Sequence, residues 1–71
     1  MKINWHDGFE ISVRTEGNSV IVSANKEGLL SLADILTSLA KEGSGHIHLD
    51  KFNSLEDDSA ELIIEKVESK L

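Results

Sequence analysis

Seventy-one residues carrying seven lysines and arginines against thirteen acidic side chains, a formal charge of −6, describe one small acidic domain spanning residues 1–71. That balance argues against a nucleic-acid binder, which needs a basic footprint. The absence of cysteine excludes a disulfide framework and a zinc–thiolate site, so packing must hold the fold, helped by a partner surface or self-association.

No apolar run follows Lys2, which reads against a signal peptide, and no stretch approaches membrane-spanning length. Cytoplasm is therefore the expected compartment, with no membrane partner. Ile3 and Trp5 alternate with polar neighbours, so residues 2–6 read as a short edge strand. Trp5 fits the edge of the core better than an interface anchor. His6, Asp7 and Gly8 then read as a turn. Phe9, Ile11 and Val13 alternate with Glu10, Ser12 and Arg14, the pattern of a strand with one buried and one wet face. A two-residue Gly17–Asn18 loop would start a second strand, about residues 18–24. It pairs Thr15 with Val20, Val13 with Val22 and Ile11 with Ala24 on one face, a register that agrees with the apolar pattern.

Residues 25–43 are the one clear helical segment. Leu29, Leu32, Ala33, Leu36, Leu39 and Ala40 recur at steps of three and four, which predicts a buried stripe. Asn25 suits the N-cap, Glu27 suits the positive end of the helix dipole, and Gly43 suits a left-handed C-terminal position. Gly28 is a misfit inside a helix, explained either if the first turn must approach another backbone closely or if it marks a frayed start. Lys26, Ser31, Asp34, Ser38 and Lys41 form the expected outward face.

After a flexible return at residues 43–45, residues 45–50 read as a strand with Ile47 and Leu49 inward and His46, His48 and Asp50 outward. Residues 51–59 are a polar connection carrying Glu56, Asp57 and Asp58, with Phe52 and Leu55 expected to anchor it on the core edge. Residues 60–67 read as the last strand, Leu62 and Ile64 on one face and Glu61, Ile63, Glu65 and Val67 on the other. Residues 68–71 are a fraying tail. The predicted architecture is α+β: two layers, a mostly antiparallel four- to five-stranded sheet with one helix, about residues 26–42, on one face. Ile21, Ile63 and Val67 are left on the uncovered face, where a homodimer or a partner would cover them.

The chemistry on offer is that of a surface. There is no Gly-rich phosphate loop and no serine at a strand–helix elbow, so neither an enzyme nor a cofactor is expected. His46, His48 and Asp50 on one face suggest a divalent metal as an alternative to partner contacts. Successive same-face residues lie almost 7 Å apart, however, and a further ligand such as His6 or Glu61 would be needed. Glu56, Asp57 and Asp58 together with Asp50, Glu61 and Glu65 make a negative surface suited to a basic partner.

The order of residues 23–33, the run Gly45-His46-Ile47-His48-Leu49-Asp50, the run Asn53-Ser54-Leu55-Glu56-Asp57 and residues 61–67 resembles the small immunity proteins of bacterial polymorphic-toxin systems, in particular the family numbered thirty-two. The resemblance covers roughly residues 18–67, and Asn25 and Gly28 belong to it. It implies a non-catalytic cytoplasmic protein that binds and neutralises a cognate toxin. Acidity and small size fit an inhibitor of a basic toxin such as a nuclease. The expected partner-binding residues are His46, His48, Asp50, Glu56, Asp57, Asp58, Glu61 and Glu65.

Overall fold

The computed structural model describes residues 3–42 and 45–67. In chain order it contains β1 (Ile11–Glu16), β2 (Ser19–Ala24), α1 (Lys26–Lys41), β3 (Gly45–Leu49) and β4 (Leu62–Lys66). The class is α+β, as expected. The sheet is different: β1 pairs only with β2 and β3 only with β4, giving two antiparallel two-stranded sheets rather than one sheet of four or five strands. Residues 3–6 are not a strand. His6 bonds to Ser31 and Asp34 of α1 and its carbonyl accepts from the Phe9 N–H, and among the described residues no strand pairs with this segment. The expected positions of Gly43 and of the tail at 68–71 fall outside the described residues.

The first hairpin follows its apolar alternation. Ile11 faces Ala24, Val13 faces Val22 and Thr15 faces Val20, while Gly17 at φ 57° turns the chain between Glu16 and Ser19. A positive φ at the first loop position, with none at Asn18, is the type II′ requirement. Ile11 and Val13 are buried and join Ile35, Leu49 and Leu55 in the core.

The helix occupies the expected residues but is rotated from the expected stripe. Its buried positions are Gly28, Ser31, Ile35 and Leu39, whereas Leu29 and Leu36 are 57% and 51% exposed. The reason lies in the N-terminal segment, which packs along Asn25, Gly28, Ser31 and Asp34. Asn25 Oδ1 accepts from the Gly28 N–H at 2.8 Å and from the Glu10 N–H at 3.0 Å, and its Nδ2 donates to the Gly8 carbonyl at 2.9 Å. The Ser31 hydroxyl, fully buried, accepts from the His6 N–H at 2.9 Å. Asp34 meets the His6 ring, Nε2 to Oδ2 2.9 Å. Ser31 and Asp34 are therefore docking positions for the chain's beginning rather than parts of an outward face.

Gly28 belongs to the same contact. A Cβ built there would overlap the Glu10 carbonyl oxygen and lie 3.0 Å from both Ala24 Cβ and Ile11 Cγ1. Glycine is required here for space rather than for dihedral freedom, as the close-approach explanation anticipated. Trp5 and Phe9 stack over this joint, ring centroids 4.5 Å apart and planes inclined by 20°, and both pack against the core edge. At the other end of α1, Lys66 of β4 donates from Nζ to the Ala40 and Glu42 carbonyls at 2.9 and 2.8 Å. A cation at a helix C-terminus also complements the dipole.

The two sheets are joined by the connection between β3 and β4. The Glu56 N–H donates to the Ile11 carbonyl at 2.9 Å, the Ala60 N–H to the Val13 carbonyl at 2.8 Å, and the Val13 N–H to Ser59 Oγ at 3.0 Å. This segment closes the outer edge of β1 without forming a strand.

Replacing Gly28 by Ala is expected to cost about 1–3 kcal/mol through overpacking, lowering Tm by more than about 5 °C. Gly→Ala at an unobstructed helix site would instead stabilise. Asn25→Ala should cost about 2 kcal/mol, more than a simple N-cap, because three side-chain bonds are lost. Asn25→Asp keeps the acceptor and should recover about half. Urea denaturation of the three variants checks both statements.

Candidate functional site

The β3–β4 pair builds a two-sided surface by strict alternation. Its register sets His46 opposite Glu65, Ile47 opposite Ile64, His48 opposite Ile63 and Leu49 opposite Leu62. Ile47, Leu49, Leu62 and Ile64 turn inward to the core. His46, His48, Ile63 and Glu65 are exposed, and Glu61 and Val67 extend the same face beyond the strand ends. The His46 and His48 rings meet edge-on, centroids 4.9 Å apart. His48 Nδ1 lies 2.9 Å from Glu61 Oε2. Imidazoles, carboxylates and two exposed aliphatic side chains thus share one face.

Asp50 does not belong to it. Its carboxylate accepts from the Phe52 N–H at 2.9 Å, and its carbonyl accepts from the N–H groups of Asn53, Ser54 and Leu55. Asn53 reciprocates: its Oδ1 accepts from the Asp50 N–H at 3.1 Å and its Nδ2 donates to the His48 carbonyl at 3.2 Å. β3 ends one residue earlier than the alternation predicted because Asp50 begins an Asx turn. One oxygen of the Asp50 carboxylate is thus committed to the turn, and His6 is held by Asp34. Among the described residues no group of three or more His, Asp and Glu side chains is placed to hold a metal ion.

The turn also reverses the expectation for Phe52. Leu55 is buried and anchors the connection as predicted, but Phe52 is 87% exposed. The Lys51 ammonium sits 5.2 Å from its ring centroid. Sequence reasoning missed this aromatic as a surface feature. The signal for a turn here was Asp50, whose side chain accepts from the backbone N–H two residues on.

Glu56, Asp57 and Asp58 are exposed, but they lie on the connection that borders β1, not on the β3–β4 face. Glu56 helps line a shallow open cleft of about 280 Å³ whose walls include Glu10, Ser12, Ser23 and Asn25. The predicted residues therefore fall into three groups: His46, His48, Glu61 and Glu65 on one face, Asp50 within a turn, and Glu56, Asp57 and Asp58 at the β1 edge.

Ile21, Ile63 and Val67, expected to make one patch on a continuous sheet, are divided by the break between the sheets: Ile21 lies in β2, Ile63 in β4 and Val67 just beyond it. No described helix is long and apolar enough to cross a membrane.

The outer face of β3–β4 thus combines charged, imidazole and aliphatic side chains on one exposed surface. The chain belongs to the Immunity protein 32 family, whose family model matches residues 19–67, from β2 through β4. No curated protein matches the chain. No solved structure matches it.

Asp50→Ala is expected to destabilise by about 1 kcal/mol, because it removes a turn hydrogen bond. Phe52→Ala and Ile63→Lys, both at exposed positions, should stay within about 0.5 kcal/mol of the parent. Chemical denaturation separates turn-forming from surface roles.

Proposed function

We propose that the protein neutralises a cognate toxin by direct protein–protein contact, that the outer face of β3–β4 is its principal contact surface, and that it acts in the cytoplasm without catalysis. Family membership gives the general class. The observation that carries the assignment of the surface is the clustering of His46, His48, Glu61 and Glu65 around exposed Ile63, with Val67 beyond. Interfaces combine an apolar centre with a polar, charged rim. A flat face of this composition fits that description better than the shallow acidic cleft at β1 does.

The charge of −6 supports a basic toxin, and a nuclease is one class with the required positive surface. The negative groups on this face are Glu61 and Glu65, with Glu56, Asp57 and Asp58 contributing long-range steering from the neighbouring connection. Exposed carboxylates of this kind act on association rate more than on residence time.

Co-expression with the product of the adjacent toxin gene should yield a stable one-to-one complex and rescue growth; no complex and no rescue would sink the proposal. The double variant Glu61→Lys/Glu65→Lys should fold normally and slow association about tenfold or more at low salt, with a flatter salt dependence. Stopped-flow association kinetics over a salt series provides the measurement. Unchanged rates would move the interface away from this face.

A further inference from the structure

The β1–β2 sheet is closed on one side and open on the other. The outer edge of β1 is occupied by the bonds from Glu56, Ser59 and Ala60. Among the described residues, the only backbone hydrogen bonds reaching Ser19–Ala24 are those of the hairpin itself. Open strand edges are normally blunted by lysine, proline, an inward charge or a bulge. β2 has none of these: its sequence is Ser-Val-Ile-Val-Ser-Ala, and its pairing with β1 runs through six successive residues without a bulge.

Residues 19–23 read identically in both directions, Ser-Val-Ile-Val-Ser. We propose that β2 is a self-recognition edge, at which a second copy of this chain pairs antiparallel about a two-fold axis at Ile21. The product is a continuous four-stranded sheet in which the two β2 strands are central. In that register Ile21 lies opposite its symmetry mate, Val20 opposite Val22, and Ser19 opposite Ser23. A two-fold contact must match a surface to itself, and a palindromic strand does so residue by residue. Val20 and Val22, on the face shared with Ile11 and Val13, are 64% and 42% exposed in the single chain. Each gains an apolar cross-strand neighbour. A slip of one residue would set the valines against side chains of the opposite face, so the alternation itself specifies the register.

Charge points to the same place. Two copies that each carry −6 repel one another over most of their surface. Residues 17–25 contain no charged side chain and form the longest such stretch in the chain. The open edge therefore lies where approach of a second copy is least opposed. The contact uses no residue of the β3–β4 face and does not rest on the toxin reading.

The chain has no cysteine, so a single introduced thiol reports one contact cleanly. Directly opposed residues of an antiparallel pair have Cα atoms about 4.5–5.5 Å apart, within the span of roughly 4.4–6.8 Å that a disulfide bridges. Ile21→Cys should give, on mild oxidation, a linked species of twice the 7.8 kDa of one chain. Arg14→Cys, opposite Ile21 but on β1, should not. Sedimentation equilibrium of the unmodified protein should show a concentration-dependent doubling of mass. Val20→Lys should weaken that association about tenfold or more, with an unchanged circular dichroism spectrum.

A mass of one chain up to millimolar concentration would overturn the proposal. So would cross-linking of Ile21→Cys no faster than Arg14→Cys, or a dimer untouched by a folded Val20→Lys. Protection of the β2 edge only when toxin is added would assign the edge to the toxin instead, and would overturn it equally. If Val20→Lys fails to fold, the pair of cysteine variants decides.

Discussion

The side-chain amide of Asn25 is the joint on which the rest of the molecule depends. A helix begins with unpaired N–H groups, and an ordinary N-cap satisfies one of them. Here the same oxygen also receives the Glu10 N–H, while the amide nitrogen holds the Gly8 carbonyl. The Asn25 backbone completes the joint: its N–H donates to the Glu10 carbonyl at 3.2 Å and its carbonyl accepts from Leu29 at 2.9 Å. One residue therefore fixes the start of α1, the entry into β1 and the angle between them. Gly28 lets these elements meet at backbone distance, and the Ser31 hydroxyl extends the seam by one more turn.

The rotation of the helix follows from that seam. A face carrying a glycine and a buried serine has little apolar area of its own, yet it wins over the leucine stripe because the segment at residues 3–10 brings Ile3, Trp5 and Phe9 to it. The apolar area is supplied by the partner rather than by the helix. Ile35 and Leu39 continue the buried line toward β3–β4, and Lys66 fastens the far end. Leu29 and Leu36 are left on the flank. This small domain gives up burial of two leucines in return for a hydrogen-bonded joint in which each polar group has a partner.

What the sequence made legible was local. The first hairpin could be read from alternation and Gly17, the helix start from Asn25, and the common face of His46, His48, Glu61 and Glu65 from period two alone. The rotation of α1 was not legible, because periodicity weighs a helix's own side chains and is blind to a non-periodic segment that docks on Gly28 and Ser31. The division into two sheets was hidden for a related reason. Glu56 and Ala60 supply N–H groups to β1 from a connection that carries no strand pattern, so β4 has no reason to pair there. Asp50 looked like the next outward residue of a strand; Asn53, three residues on, was the sign that the strand had already ended.

The boundary of the family match sharpens the division of labour. Residues 19–67 contain the outer face of β3–β4 and the whole of α1, but they omit β1 and the segment before it. Yet Ile11 and Val13 are among the most deeply buried side chains of the molecule, and Gly28, inside the matched region, makes sense only against Glu10 outside it. The core is therefore shared: Ile35, Leu49 and Leu55 come from the matched region, and residues 3–18 supply Ile11 and Val13 to complete it. The exposed side chains of β3–β4, in contrast, contribute almost nothing to that core. His46, Glu61, Ile63 and Glu65 can be exchanged without disturbing Asn25, Gly28 or Ser31. With stability concentrated at one joint and the proposed contact face on separate strands, substitutions on that face leave the joint untouched, which is the physical condition for a recognition surface to diversify on a domain this small.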